Sequence, residues 1–289
     1  MKKHPTISRA KGFWPRTAFF WLFMSFLYGP IAVIVLLSFQ GPTGGLTFPM
    51  QGTSLHWFKE VINPSMIGDF RWPFGRSIFL GLGIMVLTVF ISFLAGLAFR
   101  KNFKGNIIMF YLVVACLIAP SFLISLGIGL AFANLEMESA WYTGGLGAHL
   151  SWTLPFGVLI MLAVFSRLDK TIEEAARDLG ANEWQSLRNV VIPITLPGMI
   201  AVGLFGFTLS YDEFPRTSLV SGTDNTLPVE MVAVTGTGAT PSLYAVGTMT
   251  TFFSLAVIIG SFIAILMLQK RRSGRRASSA DLYGKPGAG

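Results

Sequence analysis

Few side chains in this sequence could do chemistry. His4, His56 and His149 stand apart from one another and from any ligand-like spacing of Cys, Asp or Glu, so none is placed as a metal ligand or a catalytic base. The single cysteine, Cys116, can form neither an intrachain disulfide nor a thiolate cluster. Gly-Lys occurs only at Gly284-Lys285, followed by Pro286, so the Gly-x-x-x-x-Gly-Lys-Ser/Thr loop that cradles ATP phosphates is missing. Two groups remain. One is Tyr211-Asp212-Glu213, an acidic pair at the end of an apolar run. The other is the polar stretch 167–193, which carries five acidic residues (Asp169, Glu173, Glu174, Asp178, Glu183) against four basic ones.

The elements that hold these groups are set by the solvent. Of the 289 residues, 52% are apolar and 12% charged, with a mean hydropathy of +0.61, where a soluble domain carries about 25% charged residues. The apolar residues come in six blocks, at about 18–39, 77–99, 107–133, 148–166, 194–214 and 243–268, each near the ~20 residues that cross a bilayer as a helix. The fold class expected is an all-α membrane protein with six transmembrane helices. The first block is longer than the roughly 7–15-residue core of a signal peptide, and Leu37-Ser38-Phe39-Gln40 is no small-residue cleavage site, so it reads as a retained anchor.

Orientation follows from the basic residues. Alternate connecting segments hold 18 of the 22 Lys and Arg residues against 4 in the others, which places both termini and the 167–193 segment in the cytoplasm. The net charge of +8 therefore marks membrane flanks, and Lys270-Arg271-Arg272 with Arg275-Arg276 reads as a lipid-headgroup anchor, not a nucleic-acid patch. By the same map, residues 1–17 form a cytoplasmic tail, 18–268 the transmembrane domain, and 269–289 a basic tail whose Ser, Gly and Ala content predicts disorder. Trp57, Trp72 and Trp141 suit outer interfacial belts or a docking surface. Pro30, Pro120, Pro155 and Pro197 predict kinks, and Gly81, Gly83, Gly96, Gly127 and Gly129 predict close helix packing.

Within 167–193, Thr171 and Glu174 have capping-box spacing, so a helix is expected to begin there. Ile172, Ala175, Ala176 and Leu179 share one face at i, i+3, i+4 and i+7, while Glu173, Arg177 and Asp178 point elsewhere. Gly180 is placed to end the helix, Asn182 with Gln185 repeats a capping signal, and Trp184, Leu187 and Val191 form a second stripe up to Pro193, which closes that helix or kinks the next. Two short amphipathic helices at an angle are predicted. Helices lying on lipid usually have basic polar faces; the acidic balance here favours a protein partner.

These residues resemble the permease subunits of binding-protein-dependent ABC importers. That family's cytoplasmic signature runs Glu-Ala-Ala, three residues, Gly, nine residues, Ile-x-Leu-Pro; here stand Glu174-Ala175-Ala176, Gly180 and Val190-Val191-Ile192-Pro193, with Val and Ile as mild departures. Phe207-Thr208-Leu209-Ser210-Tyr211-Asp212-Glu213-Phe214, Ser221-Gly222, Thr226-Leu227-Pro228 and Gly238-x-x-Pro241 resemble the second-subunit lineage of spermidine/putrescine-type permeases, where Asp is common at the position of Glu213. The resemblance implies the type I ABC importer permease fold with a cytoplasmic coupling helix pair. It implies no catalytic residues or cofactor in this chain, with ATP and magnesium on two partner ATPase subunits that engage residues 171–192 through Glu174, Ala175, Ala176, Gly180, Trp184 and Pro193. A non-identical second permease, an extracytoplasmic substrate-binding protein and the bacterial inner membrane complete the setting.

A polyamine is the substrate implied, with aminophosphonates, opines or iron as alternatives from related permeases. Tyr211, Asp212 and Glu213 then become candidates for the substrate pathway, an acidic mouth with an aromatic face for a cation. Their alternative reading is a solvated helix end. An ion-driven secondary transporter would need ionisable groups at mid-span and an internal repeat, and a membrane enzyme a His, Asp or Glu cluster; the sequence offers none of these.

Overall fold

The computed structural model describes residues 13–63, 69–101, 103–236 and 240–283; His4, the other basic residues of the first twelve positions, Gly238 and Gly284-Lys285-Pro286 lie outside them. The described residues are helical, joined by turns, with one isolated antiparallel bridge, Gln40 to Thr53, in place of a sheet. They divide into two units, 1–68 with 235–252, and 69–234 with 253–289.

In the first unit, α1 (Phe13–Leu37) is apolar on every side and exposed along nearly its whole length, as a helix bathed in lipid should be. Beyond it the chain folds around the buried Gln40, whose amide nitrogen donates to the Gly45 carbonyl at 2.6 Å and whose oxygen accepts from the Gln51 N–H at 2.9 Å. The short α2 (His56–Ile62) follows, with Phe58 set 5.1 Å from Phe39.

The second unit is built on three spans: α3 (Arg71–Phe99), α6 (Gly144–Phe165) and α9 (Ile192–Tyr211). Phe93, Met161, Phe165, Leu168, Val191 and Val202 form their shared core. The helices approach closely through small residues. A Cβ at Gly96 would enter the Phe165 ring and one at Gly81 would press on Phe207, so these two carry the packing role expected of them, whereas Gly83 and Gly127 face open space. A buried hydrogen bond of 2.8 Å between Thr88 and Thr153 joins α3 to α6.

The structure departs from the sequence map at four places. The expected span 107–133 is two helices, α4 (Asn106–Ile118) and α5 (Ser121–Asn134), bent by 104°. Pro120 is the cause: it lacks an N–H and forces Ala119 out of the helical region, to ψ 132°. The helix after Gly180 does not close at Pro193. Its four α-helical residues, α8 (Glu183–Ser186), pass through a π turn at Leu187–Val191 directly into α9, and the wider turn admits Pro193 at the start of α9 without breaking the helix.

The third departure is at the far end of α9, which stops at Tyr211, so Asp212 and Glu213 follow the span instead of lying in it. The fourth is at the C-terminus. After a 3-10 turn at Thr217–Leu219 and α10 (Leu227–Thr235), α11 (Pro241–Tyr283) continues far past the apolar block, so the predicted disorder gives way to helix as far as Tyr283. The stretch 269–283 has no proline, and its Lys, Arg and Ala residues let a helix already nucleated by the span continue past Gly274 and the three serines.

Candidate functional site

Between α6 and α9, α7 (Lys170–Asp178) begins two residues earlier than the Thr171–Glu174 spacing predicts. Asp169, not Thr171, is the N-cap: its carboxylate accepts the Thr171 N–H at 3.0 Å, and the hydrogen bonds from Thr171 hold the Asp169 carboxyl below its ordinary pKa. At the other end Gly180 has φ +87°, with its N–H bonded to the Arg177 carbonyl at 2.8 Å and the Ala181 N–H to the Ala176 carbonyl at 3.0 Å. That pair is a Schellman ending, which Gly adopts without a Cβ clash. Two residues later Asn182 and Gln185 form the expected capping box, at 2.8 and 2.9 Å. Two helix ends thus meet within a few residues, each satisfied locally, and the chain turns sharply without help from the spans.

The stripe predicted on α7 is present but unburied: Ile172 is 43% exposed and Leu179 89%, with Trp184 of α8 at 65%. Glu174 and Ala175 are exposed as well and Ala176 half-buried. Toward the spans the segment instead directs Glu173, whose carboxylate meets Arg100 at the end of α3 at 2.5 Å. A groove of about 750 Å³ runs between the end of α3 and the α7–α8 turn, lined among others by Arg100, Lys101, Lys170, Glu174, Arg177 and Trp184. Of the six residues assigned to the coupling role, Glu174 and Trp184 line this groove. Ala175, Ala176 and Gly180 shape the helix beside it, and Pro193, half-buried, belongs to the base of α9.

The end of α9 is arranged differently. Tyr211 is 4% exposed, its ring stacked on Phe207 at 5.8 Å and flanked by Phe253 at 5.3 Å and Phe74 at 6.2 Å. An aromatic face open to a cation was expected here; the tyrosine instead completes an aromatic cluster, because four rings from three helices bury more apolar area together than any would alone.

The acidic pair is also split. Glu213 meets Arg216 at 3.1 Å and accepts the Arg216 backbone N–H at the same distance, while the Arg216 guanidinium lies 4.3 Å from the Trp152 ring centroid. Both charged side chains are nearly buried, so the Glu213 charge is matched inside the protein. Asp212 is exposed, and no ion pair engages it among the described residues. His149, isolated in the sequence, is buried and satisfied on both ring nitrogens, by Ser210 and Thr217 at 2.7 Å each. It binds α6 to both sides of the acidic pair and is structural.

Sequence reasoning missed Arg100, Arg216 and Trp152. Arg216 did leave a trace as the lone Lys or Arg between 215 and 242. Among the described residues no group of three metal-ligating side chains occurs.

A membrane bundle of this kind, with a capped helix pair between two spans and no ATP loop, matches a known class. Residues 88–277 fit the model of the binding-protein-dependent transport system inner membrane component, and the chain belongs to that family. It is 28% identical over 252 residues to the spermidine/putrescine transport system permease protein PotC of Haemophilus influenzae, covering 86% of this chain and 95% of that one. It is 26% identical over 259 residues to the putrescine transport system permease protein PotI of Escherichia coli K12, covering 87% and 89%. Among solved structures it superposes on a bacterial ABC transporter that imports the acidic polysaccharide alginate, with a TM-score of 0.63 at 14% identity over 90% of this chain and 96% of that one.

The chain is therefore a multi-pass membrane component of an ABC importer, a permease subunit and not an enzyme. Membership implies an ATPase, a binding protein and a partner permease in general terms.

Proposed function

We propose that this chain forms half of the translocation pathway of an importer for a small polyamine of the spermidine/putrescine type. In this reading both termini and α7–α8 lie in the cytoplasm of a bacterial cell, and two ATPase subunits, which carry ATP and magnesium, engage residues 171–192. A non-identical second permease supplies the other half, and an extracytoplasmic binding protein delivers the substrate. The observation that carries the coupling role is the α7–Gly180–α8 turn, which leaves Ile172, Leu179 and Trp184 uncovered beside a charged groove. Exposed apolar side chains on a rigid, locally capped helix suit docking into a partner's groove better than burial in their own chain. ATP binding on the partners would then drive rigid-body rocking of the spans.

The polyamine rests on similarity to PotC and PotI along most of the chain, and Asp212 is the carboxylate left for a cation. ATP-dependent uptake of radiolabelled spermidine and putrescine, measured in inverted-free vesicles carrying this chain with its companion permease, ATPases and binding protein, tests the substrate. Saturable uptake that unlabelled polyamine displaces is expected. Uptake displaced instead by an aminophosphonate, an opine or ferric iron would replace the polyamine and leave the importer class standing.

A further inference from the structure

A segment that receives motion from an ATPase must hand it to the spans through something stiffer than a connecting loop. On the α6 side the backbone link to α7 is residues 166–169, and on the other side α8 enters α9 through the π turn. A third connection is made by side chains. Glu173 meets Arg100 at 2.5 Å, each side chain 16% exposed, and the Arg100 guanidinium lies 5.5 Å from the centroid of the Phe165 ring. Phe165 is part of the core shared by α3, α6 and α9, packing on Phe93 at 5.7 Å. One carboxylate of α7 thereby reaches the end of α3 directly and the end of α6 through the guanidinium.

The charges also suit their own helices. Glu173 is in the first turn of α7, where the helix dipole favours an anion, and Arg100 immediately follows the last residue of α3, where it favours a cation. Their shelter from solvent makes the attraction stronger and less screened than that of a surface pair. Both Glu173 and Glu174 line the groove, but Glu173 is half-buried and paired with Arg100, whereas Glu174 is exposed.

We propose that Arg100 and Glu173 are positioning residues that lock α7 to α3 and α6, so that the spans follow the coupling segment when ATP binds on the partner subunits. This rests on the reading of residues 171–192 as the ATPase-contacting segment. The pairing separates the two glutamates: Glu173 is engaged by Arg100 of the spans, and Glu174 is left exposed for the partner.

The test uses the full complex in lipid nanodiscs, with Cys116→Ala and paired spin labels at Phe79→Cys and Asp178→Cys, both exposed positions on α3 and α7. The 79–178 distance distribution is measured without nucleotide and after trapping with Mg-ATP and vanadate. In the otherwise native complex it should stay narrow and unmoved in both states. In Arg100→Gln or Glu173→Gln it should match the native distribution without nucleotide and shift or broaden on trapping, and the double variant should be no worse than the worse single. Unchanged distributions on trapping, additive effects, or broadening already present without nucleotide would each overturn the proposal. If a Gln variant does not assemble, Arg100→Lys and Glu173→Asp complete the same cycle, since both keep the charge and alter the reach or the stacking. Leu179→Glu tests the underlying reading separately: it should strip the ATPase from the complex. Retention of the ATPase would fail that reading, whereas its loss together with an additive cycle would fail the locking pair alone.

Discussion

The α7–α8 turn and the end of α9 both carry charged residues next to apolar ones, yet the protein treats them in opposite ways. At the turn, Asp169, Gly180, Asn182 and Gln185 satisfy the helix ends locally, and the apolar residues Ile172, Leu179 and Trp184 are left uncovered. At the end of α9, Tyr211 disappears among three phenylalanines and Glu213 is matched by Arg216, so that Asp212 alone is presented. A motif whose hydrogen bonds close within a few residues can leave its surface to a partner. A motif whose charges enter low-dielectric surroundings must first be neutralised by its own chain.

The contrast breaks most completely if the two regions share a side of the membrane. In a Cys116→Ala chain, Ala140→Cys should be labelled by an impermeant thiol reagent added outside intact cells, and Phe103→Cys should stay unlabelled until the membrane is opened. Labelling of both probes from outside would put the two regions on one side and break the contrast, whereas the reverse pattern would exchange the sides proposed for the turn and the acidic pair.

Next in size is Gly180→Val. A β-branched residue at φ +87° is strained by at least about 1–2 kcal/mol, and the strain falls on the turn that sets α7 against α8. Uptake should be lost or separated from ATP hydrolysis. Full uptake, with normal substrate-stimulated hydrolysis in a complex recovered at normal yield, would mean that the turn's shape is immaterial.

Arg216→Met sharpens the other half of the comparison. Removing one member of a nearly buried pair leaves Glu213 uncompensated, at a cost of about 3 kcal/mol. Thermal unfolding of the purified complex should begin several degrees lower. Glu213→Gln should lower it by less, because the amide oxygen still accepts a hydrogen bond. An unshifted transition in Arg216→Met would show that the pair is solvated in the assembled importer.

The smallest effect expected is that of Asp212→Asn, a several-fold fall in polyamine uptake at limiting substrate with assembly and melting unchanged. Nearby opposite charge attracts a cation even when exposed, though weakly through solvent. If Asp212→Asn and Glu213→Gln instead behave alike in uptake and in melting, the two carboxylates act as one acidic mouth, and the division between a presented charge and a matched one falls.

Much of the turn was legible because its determinants are short-range. A Gly where the chain must turn left-handed and Asn three residues before Gln act through bonds spanning one helical turn. The start of α7 lies two residues before the one that the Thr171–Glu174 spacing suggests: Asp169 and Thr171 both offer an oxygen to the helix start, and the stronger N-cap residue, Asp, takes the position. At Pro120 the sequence could not separate a kink from a break, because the two look identical in composition.

What the sequence determined by itself was the solvent of each segment, the helical form of the spans, the local caps around Gly180 and the family signature, since hydrophobic length, backbone sterics and capping act over a few residues at a time. Tertiary structure alone decided which charge meets which: Glu173 with Arg100 across 73 positions, Arg216 over Trp152 across 64, and Tyr211 against Phe74 and Phe253 from two other helices. Those pairings depend on how α3, α6, α9 and α11 cross, and a charge in a low-dielectric interior takes whichever partner the packing brings within reach.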